Sequence, residues 1–431
     1  MSTRTALKNS CDCLDSIYKK GAFSNVTLNE VLNKTPIEDK PLVTKIVYGV
    51  LDNDIRLDYC IRQFAPHPSA TVLTMLKIGA YCITKLNLPS AIAVNDCVEV
   101  LKKQGKTGLC GFVNAVLRNI SRAYEADSLK LPGDPLKATS VKSSLPVWAL
   151  KKLRDDYGQA AMLSFANHVN VPSANLRIDT GTNSVDEVKS FLDKEGVKYA
   201  DTVLPDALQV FGDVTSVTEK KACVAMSLAA MLVARTVGVE DGDNVLDCCA
   251  APGGKSVYMA NLCPTARILS CDVYPHKLKL IEGYAYKMKA ENISVKLNDA
   301  TVVNPQFIDK FDKVLLDAPC SGYGVIFSRP DIKVFRKQED VAGLAKIQRQ
   351  MLSVAKNYVK KGGTLVYSTC TVFQEENGDN IKWFLAENPD FELTEPDLPL
   401  HTAFKDKPGV QLMPDVHGTE GFYMAKLIRK I

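Results

Sequence analysis

Apolar positions recur at helical spacing through the first part of the chain. Leu42, Ile46, Val47, Val50 and Leu51 share one helix face, as do Val72, Leu76, Ile83 and Leu86, and then Phe112, Val113, Val116, Leu117 and Ile120. No run of period two interrupts them, so residues 1–127 are expected to form an all-helical domain. Residues 128–143 are rich in Pro, Gly, Ser and Lys and read as a linker.

Beyond the linker the pattern mixes, and residues 144–215 read as a small α+β subdomain. PSANLRIDT ends in strand-like alternation, and ALQVFGD supplies a second strand. SVDEVKSFLDKEG reads as a helix with Ser184 at its N-cap and Gly196 just past its end. A helix near 220–236 opens the last domain, residues 216–431. Strands are expected there at 244–250, 267–273, 293–297, 312–318 and 364–370. A long helix with Leu344, Ile347, Met351, Ala355 and Tyr358 on its apolar face precedes the last of these and is ended by Gly362 and Gly363. GFYMAKLI adds an antiparallel strand. Apolar strands alternating with helices predict a mostly parallel sheet covered on both faces, with ligands beyond the strands' carboxyl ends. The expected architecture is multi-domain: all-α, then small α+β, then Rossmann-like α/β.

Composition agrees. A chain of 431 residues, 46% apolar and 24% charged, belongs to the globular class and is long enough for two or three cores. Thirteen cysteines without CxxC pairs, and histidines at 67, 168, 276, 401 and 417 without ligand spacing, predict neither a disulfide scaffold nor a metal site. The first 23 residues lack the apolar stretch of a secretory signal, and the weakly polar run 222–234 is too short to span a bilayer. A cytoplasmic monomer with no membrane contact is expected. Residues 1–130 carry 17 Lys/Arg against 12 Asp/Glu, leaving 36 and 37 for the rest. The whole positive excess therefore lies N-terminally, with Lys102, Lys103, Lys106, Arg118 and Arg122 among the exposed cations expected there. Such a face suits phosphates.

AAPGGKS (250–256) follows the first strand of the last domain directly. Its glycines permit close backbone approach, but the spacing is neither GxGxxG nor Walker A, which disfavours a diphosphate cradle. Asp272 ends the next strand, where a carboxylate can accept ribose hydroxyls, and Asn298 and Asp299 follow the strand after it, near an adenine. A nucleoside cofactor without an essential phosphate fits this set, which points to S-adenosylmethionine.

Two further strands end in cysteine turns, LLDAPCSGYG (315–324) and VYSTCTVFQEEN (366–377). A lone cysteine is commonly a small buried apolar group, but two at neighbouring strand ends suit covalent catalysis. Carbon 5 of a cytosine is a feeble nucleophile until a thiolate adds to carbon 6, and the proton on carbon 5 must leave before the thiol is eliminated. Asp317 is placed to accept from the exocyclic amine. A methyltransferase acting on such an amine would instead present an acid-Pro-Pro-aromatic turn, where this chain has Asp317, Ala318, Pro319 and Cys320.

With CCAAPGGKS, DAPCSGYGVIFSRPDIK, GGTLVYSTCTVFQEEN and GTEGFYMAKLI, the chain resembles the RNA 5-methylcytosine methyltransferase family. The likeness is greatest to its bacterial ribosomal RNA small subunit methyltransferase B group. LKIGAYCITKLNLPSAIAVNDCVEVLKKQGKTGLCGFVNAVLRN resembles the NusB-like RNA-binding domain of that group, and the middle segment would be RRM-like. The resemblance implies Cys370 as nucleophile and Cys320 as the residue assisting breakdown of the adduct. It implies S-adenosylmethionine held by Cys249, Ala250, Ala251, Pro252, Gly253, Gly254 and Lys255 with Asp272, Asp299 and Asp317, the last also close to the base. The implied substrate is one cytosine of 16S ribosomal RNA. Ala225 and Met226 depart from the family's usual Gln-Asp/Glu pair, Lys277 from an arginine, and Asn298-Asp299-Ala300 from Gly-Asp-Gly. Two alternatives remain: a non-catalytic RNA-binding assembly factor, and a cytosine or uracil methyltransferase acting on another nucleic acid.

Overall fold

The computed structural model describes residues 3–21, 24–169, 173–400 and 407–431, and His401 of the sequence reading lies outside them. The described chain divides into two compact units: residues up to 167 together with 326–336, and the remainder.

The first unit is helical. Helices Arg4–Lys20, Ser24–Leu32, Lys40–Asp52, Asp54–Arg62, Ala70–Thr84, Ser90–Lys103 and Cys110–Glu125 enclose a core containing Leu14, Ile17, Ile46, Val47, Leu76, Val113 and Leu117. The helical spacing placed most of this core. Phe112 instead faces solvent, Leu86 packs from beyond its helix, and Lys106 is half-buried. One charged cluster is built into the core: Lys77 Nζ lies 2.5 Å from Asp54 Oδ1 and 4.8 Å from the Tyr18 ring centroid, and Tyr18 donates to the same oxygen. Burial and Asp54 hold the Tyr18 phenol well above its ordinary pKa.

The expected linker is largely helix. Pro135–Ser143 forms one, and Val147–Asn167, interrupted at Gly158, forms another within this unit rather than within an α+β subdomain. The Pro/Gly/Ser-rich composition that reads as a loop includes Asp134, whose side chain accepts from Lys137 N at the N-cap, and Pro135 at the first helical position. Segment 326–336 is fixed here by Lys333 Nζ, 2.6 Å from Asp52 Oδ1, and by Ser24 Oγ donating to Asp331 Oδ1 at 2.6 Å.

In the second unit, β1 (Ala174–Ile178), β2 (Lys198–Asp201), β3 (Ala207–Phe211) and β4 (Cys223–Ala225) form an antiparallel sheet of order β2-β3-β1-β4. Helix Val185–Lys194 starts with the expected Ser184 cap, completed by Glu187 as a capping box. β2 and β4 are short strands that the pattern does not disclose. The helix expected near 220–236 is confined to Leu228–Val237, because β4 takes the preceding residues into pairing with β1. Arg177 of β1 is fully buried. It donates to Asn261 Oδ1 at 3.0 Å and stacks over Tyr258, which ties the small sheet to the helix Gly254–Leu262.

The large sheet is built from β5 (Asn244–Asp247), β6 (Arg267–Asp272), β7 (Ile293–Leu297), β8 (Phe311–Asp317), β9 (Val359–Thr369), β10 (Phe391–Thr394), β11 (Val410–Leu412) and β12 (Phe422–Arg429). Its order is β10-β12-β9-β8-β5-β6-β7, with β11 on β12. β5 to β9 run parallel, and β12 lies antiparallel to β9, as expected for the terminal segment. The chain order reverses on either side of β5, so β5 and β8 flank the topological switch where open α/β sheets bind ligands. Of the face expected for the long helix Gln338–Ala355, Met351, Ala355 and Tyr358 are buried and Leu344 is half-buried, while Ile347 is exposed. Val341, Ala345, Gln348 and Leu352 are buried beside them. The helix ends before Tyr358, and Gly362 and Gly363 lie within β9. Gln348 is buried because its amide donates to Pro319 O and to the Glu376 carboxylate.

Candidate active site

The turn after β5 is shaped by backbone bonds. Ala250 N donates to Cys271 O, Gly253 N donates to Ala250 O at 2.7 Å, and helix Gly254–Leu262 begins at once. Gly253 sits at φ +112°, where a side chain is strained, and a Cβ there would also crowd Ile281 Cα at 3.2 Å. Cys249, Ala251 and Lys255 are half-buried and Pro252 is exposed along this turn. Burial, then Asp247, pushes the Cys249 thiol well above its ordinary pKa, which leaves it a neutral lining group.

Asp272 is buried at the end of β6. Its Oδ1 accepts from Tyr274 N at 3.1 Å and lies 3.7 Å from Lys277 Nζ. Lys277 thus meets the ribose-side acid and also stacks 4.8 Å over the Tyr274 ring. Asp299 Oδ1 accepts from Thr301 N and Oγ1, which fixes the loop after β7. That loop and the end of β6 line a pocket of about 450 Å³ walled by Val273, Leu297, Asn298, Asp299 and Val302. Apolar walls with a few polar groups at a strand edge suit a flat heteroaromatic ring. A buried carboxylate, Asp272, an apolar pocket beside it and the glycine turn after β5 are a set of groups that fits S-adenosylmethionine.

Asp247, at the end of β5, is buried. Ser256 Oγ donates to its Oδ2 at 2.7 Å, while Oδ1 has no hydrogen-bond partner among the described residues. Burial pushes its carboxyl up to about 6, assisted by the nearby Asp317 charge and opposed by Ser256 and Lys255. Sequence reading passed over this residue because it sits inside an apolar strand.

The structure brings the cysteine turns together. Cys320, past β8, and Cys370, past β9, are half-buried, with Sγ atoms 3.2 Å apart. The hydrogen bond that the Cys320 thiol shares with Cys370, and then burial, hold the Cys320 thiol well above its ordinary pKa. Asp317 closes β8 beside them. Its Oδ2 accepts from Lys255 Nζ at 2.5 Å and its Oδ1 from Ser368 Oγ at 2.7 Å. Burial works against the Lys255 ammonium, but Asp317, with Asp247 and Cys370 beyond it, keeps its pKa above that of an ordinary lysine. Lys255, read from sequence only as part of the cofactor turn, therefore stands between the cofactor turn and the cysteines.

A buried polar lattice that motif reading did not foresee lies beneath both turns. Glu376 accepts from Ser321 N and Oγ and from Gln348 Nε2, and Ser321 Oγ meets Thr371 Oγ1 at 2.7 Å. The one available signal was position, since Ser321 and Thr371 each directly follow a cysteine. Gly324 and Gly421 pack backbone to backbone: Gly324 N donates to Cys370 O and Gly421 N donates to Gly324 O.

Among the described residues, no group of three or more His, Cys, Asp or Glu is arranged to hold a metal ion, and no helix is long and apolar enough to cross a membrane.

Known proteins are similar to this chain in sequence and in fold. The model of the 16S rRNA methyltransferase RsmB/F family matches residues 234–428, and that of the NusB family matches residues 4–122. A probable ribosomal RNA small subunit methyltransferase B of Bacillus subtilis is 35% identical, covering 97% of each chain. The ribosomal RNA small subunit methyltransferase B of Citrobacter koseri is 31% identical with the same coverage. The crystal structure of PH0851, 22% identical, shares the fold with a TM-score of 0.84 over 98% of both chains. The chain belongs to the 16S rRNA methyltransferase RsmB/F family, as an S-adenosylmethionine-dependent methyltransferase domain joined to a NusB-family helical domain.

Proposed function

We propose that the chain methylates carbon 5 of a cytosine in 16S ribosomal RNA, with Cys370 as nucleophile and Cys320 as the group that lets the product go. The observation that carries this reading is the 3.2 Å approach of the two sulfurs beside the Lys255–Asp317 pair.

The two thiols share a hydrogen bond, and that bond with burial favours the proton on Cys320; the nucleophile in this reading is the thiolate of Cys370. Asp317, its carboxylate oriented by Lys255 and Ser368, accepts from the exocyclic amine of the base. Cys370 Sγ bonds to carbon 6, and the electron pair of the C5–C6 double bond becomes available at carbon 5. S-adenosylmethionine, when bound, supplies an electrophilic methyl group for that carbon. Once Cys370 is a thioether, the main cause of the raised Cys320 pKa is gone, and Cys320 can give its proton to solvent. Its thiolate then takes the proton from carbon 5, the double bond re-forms, and the S–C6 bond breaks to free Cys370. The target base must be unstacked to reach the turns, which single-stranded or looped RNA makes cheaper. The N-terminal positive excess supports RNA as the partner.

The test uses radiolabelled methyl transfer to protein-free ribosomal RNA. Cys370→Ser is expected to abolish turnover, and Cys320→Ala to accumulate a protein–RNA adduct that survives denaturation. Wild-type turnover by Cys370→Ser, or no adduct with Cys320→Ala, would overturn the roles. Bisulfite mapping of the product identifies the cytosine.

A further inference from the structure

Glu376 is fully buried, and its surroundings give it more to do than complete a core. Its two oxygens receive Ser321 N at 2.8 Å, Ser321 Oγ and Gln348 Nε2 at 3.0 Å. The Gln348 amide also donates to Pro319 O at 2.9 Å. Both neighbours of Cys320 in the chain are thus held by this carboxylate and its amide partner. Because the Ser321 hydroxyl donates to Glu376, the 2.7 Å contact with Thr371 Oγ1 is made with Thr371 donating. Thr371 follows Cys370, so one short chain of bonds runs from the Cys370 turn through Ser321 to Glu376.

Glu376 is itself held firmly. Its carbonyl accepts from Tyr367 OH at 2.6 Å and from Asn380 Nδ2 at 3.0 Å, and Asn380 donates a second time to Gln348 Oε1. Gln348 comes from the long helix, Tyr367 from β9 and Asn380 from the helix Gly378–Glu387. A glutamate whose backbone carbonyl is held by Tyr367 and Asn380, and whose carboxylate is held by Gln348, is a rigid reference point for two loops. A buried acid is costly unless its bonds are satisfied. An apolar residue could fill the volume, so the position of the charge calls for another explanation. The carboxylate is bonded directly to Ser321 of the Cys320 turn and reaches the Cys370 turn only through Thr371, and a negative charge held there disfavours a thiolate on Cys320.

We propose that Glu376 is a positioning residue that locks the Cys320 turn against the Cys370 turn and, by its charge, directs the thiolate to Cys370. This rests on the cysteine roles proposed above and deepens them: it explains why two thiols in contact take different parts. Glu376 touches neither base nor cofactor. It acts through Ser321, Thr371 and the electrostatic field at Cys320.

The experiment compares wild type, Glu376→Gln and Glu376→Asp in the full-length protein. Iodoacetamide alkylation of Cys320 and of Cys370 is followed by peptide mass spectrometry between pH 6 and 9. Wild type is expected to alkylate Cys370 preferentially. Glu376→Gln should shrink that preference about tenfold as Cys320 becomes easier to ionise, and Glu376→Asp should restore part of it. Methyl transfer by Glu376→Gln should lose kcat by about tenfold or more, with S-adenosylmethionine affinity unchanged within about twofold. An unchanged alkylation preference together with an unchanged kcat would overturn the proposal. A shifted preference in a protein whose wild type methylates no RNA would retain the role of Glu376 while removing the function it serves. Should Glu376→Gln fail to bind cofactor, Ser321→Ala supplies the second probe: it cuts the bridge but keeps the charge. Its kcat should fall while Cys370 stays preferred, and a wild-type kcat there would equally overturn the positioning role.

Discussion

Lys255 Nζ lies 2.5 Å from Asp317 Oδ2, joining the turn after β5 to the end of β8 across the switch point of the sheet. With Ser368 on the other oxygen, Asp317 has its carboxylate plane set from two sides. The pair is mostly shielded from solvent, with side-chain exposures of 14% and 24%. Removing one partner leaves the other charge poorly compensated. Lys255→Met is expected to destabilise the protein by roughly 1–3 kcal/mol and to lower methyl transfer by about 10²-fold. The double variant Lys255→Met/Asp317→Asn should recover part of the stability but none of the rate. Urea unfolding of the four proteins in the cycle measures the coupling, and strictly additive losses would show that the pair does not act as one unit.

Gly324 and Gly421 form a contact that only glycine permits. A Cβ on Gly324 would fall 1.7 Å from Gly421 O and 2.9 Å from Cys370 O, both backbone atoms that cannot swing aside. Gly324→Ala is therefore expected to cost roughly 2–4 kcal/mol. It should also slow catalysis beyond what the stability loss explains, because the displaced carbonyl belongs to Cys370. Thermal unfolding alongside single-turnover methylation checks this. A variant with wild-type melting temperature and rate would mean that the backbones separate freely.

The contact between Gly324 and Gly421 also shows what a linear reading can reach. Strand ends were legible because apolar runs stop where polar turns start, and so Asp272, Asp317, Cys320 and Cys370 fell at carboxyl edges as expected. The adjacency of β8 and β9, which puts the sulfurs 3.2 Å apart, follows from topology and has no signature in either motif alone. Buried polar residues were the main blind spot. Gln348 looks like a surface residue and Ile347 like a core one, yet the polar lattice reverses them. Residues 135–143 were misread for a related reason: Asp and Pro mark loops by composition and helix starts by position, and only the Asp134 cap distinguishes the two. β2 and β4, at four and three residues, are too short to impose a period on the sequence.

The N-terminal cations give a prediction about RNA affinity. Arg118 and Arg122 are exposed one turn apart on helix Cys110–Glu125. If both meet phosphates, the Arg118→Ala/Arg122→Ala variant should flatten the slope of log affinity against log salt by about 0.7–0.9 per lost contact. Methylation at saturating RNA should be little changed. Filter binding over a series of salt concentrations gives the slope, and an unaltered slope would place the RNA on a different face of the helical domain.

Asp247 offers a test in which the sign is decisive. Burial raises its folded pKa to about 6 from an ordinary 3.8, so the folded state binds a proton more tightly than the unfolded chain does. Above about pH 6 the folded protein must hold a poorly compensated carboxylate, and this destabilising contribution is fully present. As pH falls from about 6 towards 4 the folded state takes up its proton first, and the contribution disappears. Asparagine is neutral at every pH and can still accept from Ser256. Asp247→Asn should therefore be more stable than wild type by about 1–2 kcal/mol at pH 8. The gain is smaller than the pKa difference alone would give, because the new amide brings donors into a site built for an oxygen. The advantage should narrow through pH 6 to 5 and be nearly gone at pH 4. Denaturant unfolding of the cofactor-free protein across that range measures it. A difference that stays flat with pH, or wild type being the more stable at pH 8, would mean that the buried carboxylate has a compensating partner in solution.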